Sequence, residues 1–171
     1  MYVEVTADIL EMNPFTAIGK DGFLITAGRA DSFNTMTASW GSLGVLWGRN
    51  IVTLYVKASR HTHKFLEESE GFTCSFLEPE MKDTLLWCGQ HSGRDSDKVA
   101  ATGLIPEYIS TGTGVDRVTF KQASLVLSCT KVSVMQVDAS QFVIPELVKR
   151  YKDGDFHSVY IGFIDKVLAK Q

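Results

Sequence analysis

Residues 125–137, LVLSCTKVSVMQV, constrain the fold of this chain more than any other stretch. Val126, Ser128, Thr130, Val132 and Val134 fall on one side of an extended backbone, because side chains of a strand point alternately to its two faces. A strand of this length has to curve, as strands do in barrels. Other segments share its character. Residues 22–30, GFLITAGRA, open after the turn signal Lys20-Asp21-Gly22. Residues 51–58 set Ile51, Thr53, Tyr55 and Lys57 on one face and Val52, Leu54 and Val56 on the other. Residues 72–77 are short and rich in strand formers, and 158–168 read as the last strand. Antiparallel-type strands separated by turn signals predict an all-β barrel.

Helices enter as short insertions. Thr62 is the expected cap of a helix over 62–69 that stops at Gly71. Pro79 suits the first position of a helix reaching Trp87, with Gly89 as its stop. Ser96 caps a short helix ending before Gly103, and Pro145 opens one through Tyr151. Lys149-Arg150-Tyr151-Lys152 is then the solvated, dipole-favoured end of that last helix. The fold class is mainly β (α+β).

Composition sets limits on partners. The chain of 171 residues is expected to form a single domain, 1–171, burying roughly 70% of its unfolded surface. Its net charge of −3 argues against nucleic acid or an anionic membrane as the main partner. No apolar run approaches the roughly 20 residues of a membrane span, and the N-terminus lacks the basic and apolar regions of a signal peptide. Cys74, Cys88 and Cys129 form no CxxC and cannot all pair, which fits a reducing cytoplasm.

Three constellations carry chemistry. Arg60 and Thr62 stand where a helix begins, so free N–H groups, the helix dipole and a guanidinium would converge on an anion; the ordinary reading is a capped helix beside a solvated arginine. Ser92-Gly93-Arg94-Asp95-Ser96-Asp97-Lys98 is a glycine-containing turn flowing into a helix with two cations, a second phosphate wall or an ordinary capped turn. Asn34-Thr35-Met36-Thr37-Ala38-Ser39-Trp40 ends a strand with small hydroxyls, a Met and a Trp. Backbone groups near Met36 and Thr37 would bond the pyrimidine edge of a flat heterocycle, Ser39 adds a hydroxyl, and Trp40 or Met36 packing surface. Read blandly, the same segment is a half-buried strand. His61-x-His63 and Cys88-x-x-His91 hold zinc-ligand residue types, but nothing in the sequence brings the pairs together, and no metal is expected. Cys88, at a helix end, is the candidate reactive thiol. There is no GxGxxG after a strand, no GxxxxGK[ST] and no GxSxG, which removes Rossmann, P-loop and hydrolase-elbow chemistry.

The runs Asn34–Trp40, Arg60-His61-Thr62 and Ser92-Gly93 with Lys98 together resemble the FMN-binding split-barrel family of flavin reductase-like proteins, whose motifs read N-x-M-T-x-S-W, R-x-T and S-G-x-x-x-x-K. The resemblance implies a six-stranded antiparallel Greek-key split barrel with short peripheral helices. It also implies a homodimer with FMN near the interface. The implied cofactor-binding residues are Asn34, Thr35, Met36, Thr37, Ser39, Trp40, Ser59, Arg60, Thr62, Ser92, Gly93, Arg94 and Lys98. NAD(P)H would stack on the flavin and pass hydride from its C4 to flavin N5, with no side chain acting as nucleophile. A flavoredoxin-like carrier that exchanges electrons with a protein partner is the alternative, and WGSLGVLW (residues 40–47) is closer to that branch. A barrel binding heme or another flavin is a third reading, weakened by the co-occurrence of the motifs. Many relatives carry an acidic residue after the last-strand glycine, where this chain has Phe163.

Overall fold

The computed structural model describes residues 1–151 and 153–171. Lys152, the last residue of the predicted charge run, lies outside the described residues. The strands are β1 (Tyr2–Val5), β2 (Phe23–Arg29), β3 (Ser32–Ala38), β4 (Gly41–Leu46), β5 (Arg49–Lys57), β6 (Gly71–Leu77), β7 (Pro106–Ile109), β8 (Arg117–Phe120), β9 (Ala123–Gln136) and β10 (His157–Lys170). The α-helices are α1 (Pro14–Thr16), α2 (His61–Glu68), α3 (Lys82–Gln90) and α4 (Lys98–Thr102), with 3₁₀ turns at Pro79–Met81, Ala139–Gln141 and Pro145–Tyr151.

The main sheet has eight strands, in the order β3-β2-β6-β9-β10-β5-β4, with β1 also on β10, and every pairing is antiparallel. Its two edges, β3 and β4, are consecutive in the chain, with only Ser39 and Trp40 between them. The link brings the two edges together at one corner, but β3 and β4 neither pair nor pack along their lengths, so the curled sheet stays open at one seam. Register shifts in the β9–β10 ladder at Ile161/Gly162 and Ile164/Lys166 provide the local bending.

Alternation sorts each strand between two cores. Phe23, Ile25, Val52, Leu54, Val56, Phe72, Leu127, Cys129 and Tyr160 fill the inside of the curl. Leu24, Leu85, Cys88, Leu104, Phe120 and Val126 pack on the outside, beneath α3 and α4. The two faces predicted for β5 are observed, with Val52, Leu54 and Val56 inward, and Tyr55 stays 38% exposed.

The split barrel expected from the resemblance is the observed architecture, but with ten strands among the described residues rather than six. β1 is a short strand recruited by the far end of β10, and β7 pairs β8 in a separate hairpin. β4 carries glycines at 41 and 44, which hide its strand character in the sequence. Three helix expectations also shift. The N-cap of α2 is Arg60, and Thr62 is the second helical residue. Gly89 lies inside α3 rather than ending it. Asp97, not Ser96, caps α4, accepting from the Ala100 N–H at 3.0 Å.

Candidate functional site

Three segments that are distant in sequence meet at one end of the seam: Asn34 and Met36 of β3, residues 59–62 where β5 turns into α2, and residues 90–98 between α3 and α4. They enclose a pocket of about 170 Å³. Arg60 donates from Nη2 to Gly89 O at 2.8 Å, Lys98 from Nζ to Cys88 O at 2.7 Å, and Arg94 from Nη1 to Ser59 O at 2.9 Å. Arg60 and Lys98 thus bond carbonyls at the end of α3, where the helix dipole favours cations. None of the three has a carboxylate within 4.0 Å among the described residues. The local field is positive: burial first, then Arg94, Lys64 and Lys98, lower the His61 pKa. No side chain caps the α2 N-terminus, which leaves first-turn N–H groups for a ligand. Gly93 is required by close approach, since a Cβ there would stand 2.0 Å from Asn34 Oδ1. Unpaired cations, uncapped amides and a turn with no side chain suit a phosphate.

Lys98 is only 6% exposed, and burial, reinforced by Arg60, lowers its pKa to about 8. Because the folded-state value is depressed, the unfolded chain holds more protons between pH about 8 and the unperturbed value of about 10.4, and Lys98 makes the ligand-free fold more stable as pH rises through that window. A bound phosphate favours the ammonium form and draws the pKa back up. Affinity for a phosphate ligand is therefore expected to be flat just below pH 8 and to fall by up to about tenfold per pH unit above it. Titrations from pH 7 to 10 on wild type and Lys98→Met check this; an equally steep fall in the variant would remove Lys98 as the cause.

The other predicted residues divide by where their side chains point. Asn34 Nδ2 donates to Thr62 Oγ1 at 2.7 Å and to Thr35 O at 3.3 Å, tying β3 to α2. Thr62 lines the pocket but is buried, and its hydroxyl receives that bond rather than capping the helix. Thr35 Oγ1 is engaged with Thr26 and with Ile25 O, and Thr37 Oγ1 donates to Leu85 O on α3. Only the backbone of these two threonines is available to a ligand, and β3, being a sheet edge, has N–H and C=O groups that β2 does not take. Met36 is 6% exposed and belongs to the inner core. Ser92 Oγ accepts from the Arg94 N–H at 3.2 Å and shapes the turn. Ser59 faces Asp155, giving it its N–H at 3.1 Å and its hydroxyl at 2.6 Å.

Ser39 and Trp40 stand at the other end of β3 and line a second cleft of about 510 Å³ with Pro14, Phe15, Leu43 and Tyr55. Trp40 is not a core residue: it is 51% exposed and its ring lies 5.0 Å from that of His157. His157 is buried and bonded through Nδ1 to the Tyr151 hydroxyl at 2.9 Å; burial first, then Lys57, lowers its pKa. Burial alone would raise the Asp155 pKa, but the two bonds from Ser59 hold it below the usual carboxylate range.

Asp155 and His157 are the site residues that sequence reasoning missed. The signal that could have found them is the DxH run where the last strand begins. Cys88 is fully buried, and burial pushes its thiol pKa up, which removes it as a reactive nucleophile. His63 bonds Ser158 Oγ at 2.9 Å, while His91 stacks on Trp87 at 4.0 Å.

A curled sheet with an anion cradle and an apolar aromatic cleft at opposite ends of one edge strand defines a split barrel suited to a flat ligand carrying a phosphate. Residues 18–163 match the flavin reductase like domain, and the chain belongs to this flavin-binding family. Among solved structures it is similar to an FMN-binding domain of a flavin reductases-like enzyme from Shewanella baltica, at TM-score 0.69 and 15% identity over 99% of this chain and 77% of that one. It is also similar to flavoredoxin from Methanosarcina acetivorans, at TM-score 0.66 and 19% identity over 99% and 75%. A third similar structure is an NADH:FAD oxidoreductase from Streptomyces globisporus, at TM-score 0.61 and 15% identity over 88% and 76%. No curated protein matches the chain.

Proposed function

We propose that this chain binds FMN and is an NAD(P)H-dependent flavin reductase. The observation that carries the reading is the group of three cations, Arg60, Arg94 and Lys98, without carboxylate partners among the described residues, around a turn where glycine is required. FMN, when bound, supplies the redox chemistry, accepting hydride from NAD(P)H and passing the electrons on. The chain's own work is placement. Arg60, Arg94, Lys98 and the first-turn amides of α2 hold the phosphate. The free edge of β3 near Met36 and Thr37 orients the polar rim of the ring. Ser39 and Trp40 meet its far end, and the apolar cleft beyond them excludes water from the face a nicotinamide would approach.

The NADH:FAD oxidoreductase similarity supports the reductase reading. The flavoredoxin similarity over nearly the whole chain supports the second one, an FMN carrier reduced by a protein partner. A single domain, a homodimer and a cytoplasmic location belong to the same proposal. The last is consistent with three free, buried cysteines and with the lack of any helix among the described residues long and apolar enough to cross a membrane.

The visible spectrum of the purified protein, followed by anaerobic addition of NADH and then NADPH, tests the reading. Flavin bands that bleach within seconds are expected of the reductase. Bands that persist until dithionite is added point to the carrier, and a colourless protein that takes up no FMN removes both.

A further inference from the structure

The segment that leads into β10 reaches back to the anion cradle. His157 pairs with Lys57 in the antiparallel β5–β10 ladder, and continuing that register past the end of β5 sets Asp155 against Ser59. There the Asp155 carboxylate takes two donors from one residue: the Ser59 N–H at 3.1 Å and the Ser59 hydroxyl at 2.6 Å, one on each oxygen. Lys57 Nζ stands 3.9 Å from the same carboxylate.

Ser59 is the third residue of a turn closed by the Arg60 N–H on Lys57 O at 3.0 Å. In such a turn the N–H of the third residue has no partner within the turn, and Asp155 supplies one. Two parts of the cradle depend on how this turn is set. Its Ser59 carbonyl receives Arg94 Nη1 at 2.9 Å, and its last residue, Arg60, is the N-cap from which the uncapped first turn of α2 begins. The gripping segment is itself braced. Tyr151 and Phe156 stack at 4.7 Å, the Phe156 N–H donates to Gly154 O at 3.0 Å, and buried His157 lies against Trp40 at the ring end of the site.

A carboxylate is the wrong charge to place beside a phosphate site. Ser59 lines the cradle pocket, so Asp155 stands just behind its wall. Its charge opposes an incoming anion, while its two hydrogen bonds hold the turn that presents the donors. These effects carry opposite signs, and substitution separates them.

We propose that Asp155 is a positioning residue of the anion cradle: by holding the N–H and hydroxyl of Ser59 it fixes the turn whose carbonyl aims Arg94 and whose next residue opens α2. The role in ligand binding rests on the function proposed above; the tether to Ser59 does not.

Titrations of FMN and riboflavin against wild type, Asp155→Ala, Asp155→Asn, Arg94→Ala and the Arg94→Ala/Asp155→Ala pair test the role. Alanine removes both the charge and the two bonds. Asparagine removes the charge but keeps an acceptor for the Ser59 N–H and a polar partner for its hydroxyl. Asp155→Ala is expected to weaken FMN binding about tenfold and to leave riboflavin unchanged, because the loss passes through a donor to the phosphate. Asp155→Asn should restore wild-type affinity. On the Arg94→Ala background the effect of Asp155→Ala should shrink to about twofold or less, since the two residues act as one unit. Tighter FMN binding in Asp155→Ala overturns the proposal, because charge then outweighs position. An equal loss for both flavins, or full additivity with Arg94→Ala, overturns it as well.

Amide hydrogen exchange on the ligand-free protein tests the tether alone. The Ser59 N–H should exchange at least about tenfold faster in Asp155→Ala, with protection in β9 and β10 retained as the sign of an intact fold. An unchanged Ser59 rate overturns the tether whatever the flavins do. A Ser59 amide released with FMN affinity unmoved overturns the positioning role and leaves the flavin site standing. A wild type that takes up no flavin, with the Ser59 amide still released in Asp155→Ala, overturns the proposed function and leaves the tether.

Discussion

Replacing Arg60 and Lys98 together by alanine is expected to weaken FMN binding by about 10² to 10⁴-fold while leaving riboflavin binding close to wild type. Each cation contributes a charge-assisted hydrogen bond to phosphate, worth roughly 1.5–3 kcal/mol, and the two losses convert to that range. Riboflavin carries the same ring without the phosphate, so the ratio of the two affinities isolates the cradle. The comparison is needed because both side chains also bond carbonyls at the end of α3, through Gly89 O and Cys88 O. The double variant will therefore melt at a lower temperature whatever the ligand. Fluorescence-quenching titrations with both flavins decide the matter. An equal loss for FMN and riboflavin would mean that the cations only support the helix, and the phosphate would have to lie elsewhere.

The largest effect on stability is expected from Phe72→Ala. Phe72 is 1% exposed, in the inner core on β6, and a Cβ at Gly162 of β10 would stand only 2.6 Å from its ring. The ring thus fills space that β10 leaves by having glycine at that position, and neighbouring strands held in ladders cannot collapse into the gap. Truncating a buried phenylalanine costs about 3–5 kcal/mol, a large share of the 5–15 kcal/mol typical of a folded domain. Urea unfolding should show a lower midpoint with an unchanged slope. A midpoint within error of wild type would show that the barrel interior repacks, contrary to its ladder geometry.

The strands legible in the sequence were those with a sustained period of two: β2, β5, β6, β9 and β10 match their predicted segments to within two residues at each end. β4 was invisible because Gly41 and Gly44 break its pattern, and β1, β7 and β8 because four residues are too few to show a period. The shift of the α4 cap has a plain cause. Where two capping types are adjacent, as at Ser96 and Asp97, propensity does not choose between them, and the backbone geometry chose aspartate.

The candidate site was legible as a set of residue types but not as a set of directions. The motif run names Thr35 and Thr37 but does not reveal that their hydroxyls are taken by β2 and α3. Nor does it connect Ser59 to Asp155, 96 residues away, because that contact exists only once β10 lies beside β5. The convergence of Arg60, Arg94 and Lys98 was recoverable from the family resemblance, but their bonding to α3 and Ser59 carbonyls was not.

Those carbonyl bonds have a further consequence for how a ligand is received. A cluster of cations with no acidic partners would ordinarily splay apart in solvent. Here the negative end of a helix restrains Arg60 and Lys98 before any anion arrives, and the Ser59 carbonyl does the same for Arg94. Immobilising a long side chain on binding costs about 0.5–1.5 kcal/mol, and at these positions that ordering belongs to the folding of the chain rather than to the capture of its ligand. The end of α3 is in this sense a built-in counter-ion, one that preorganises the cradle and need not be displaced, because each cation keeps further donors free for the newcomer.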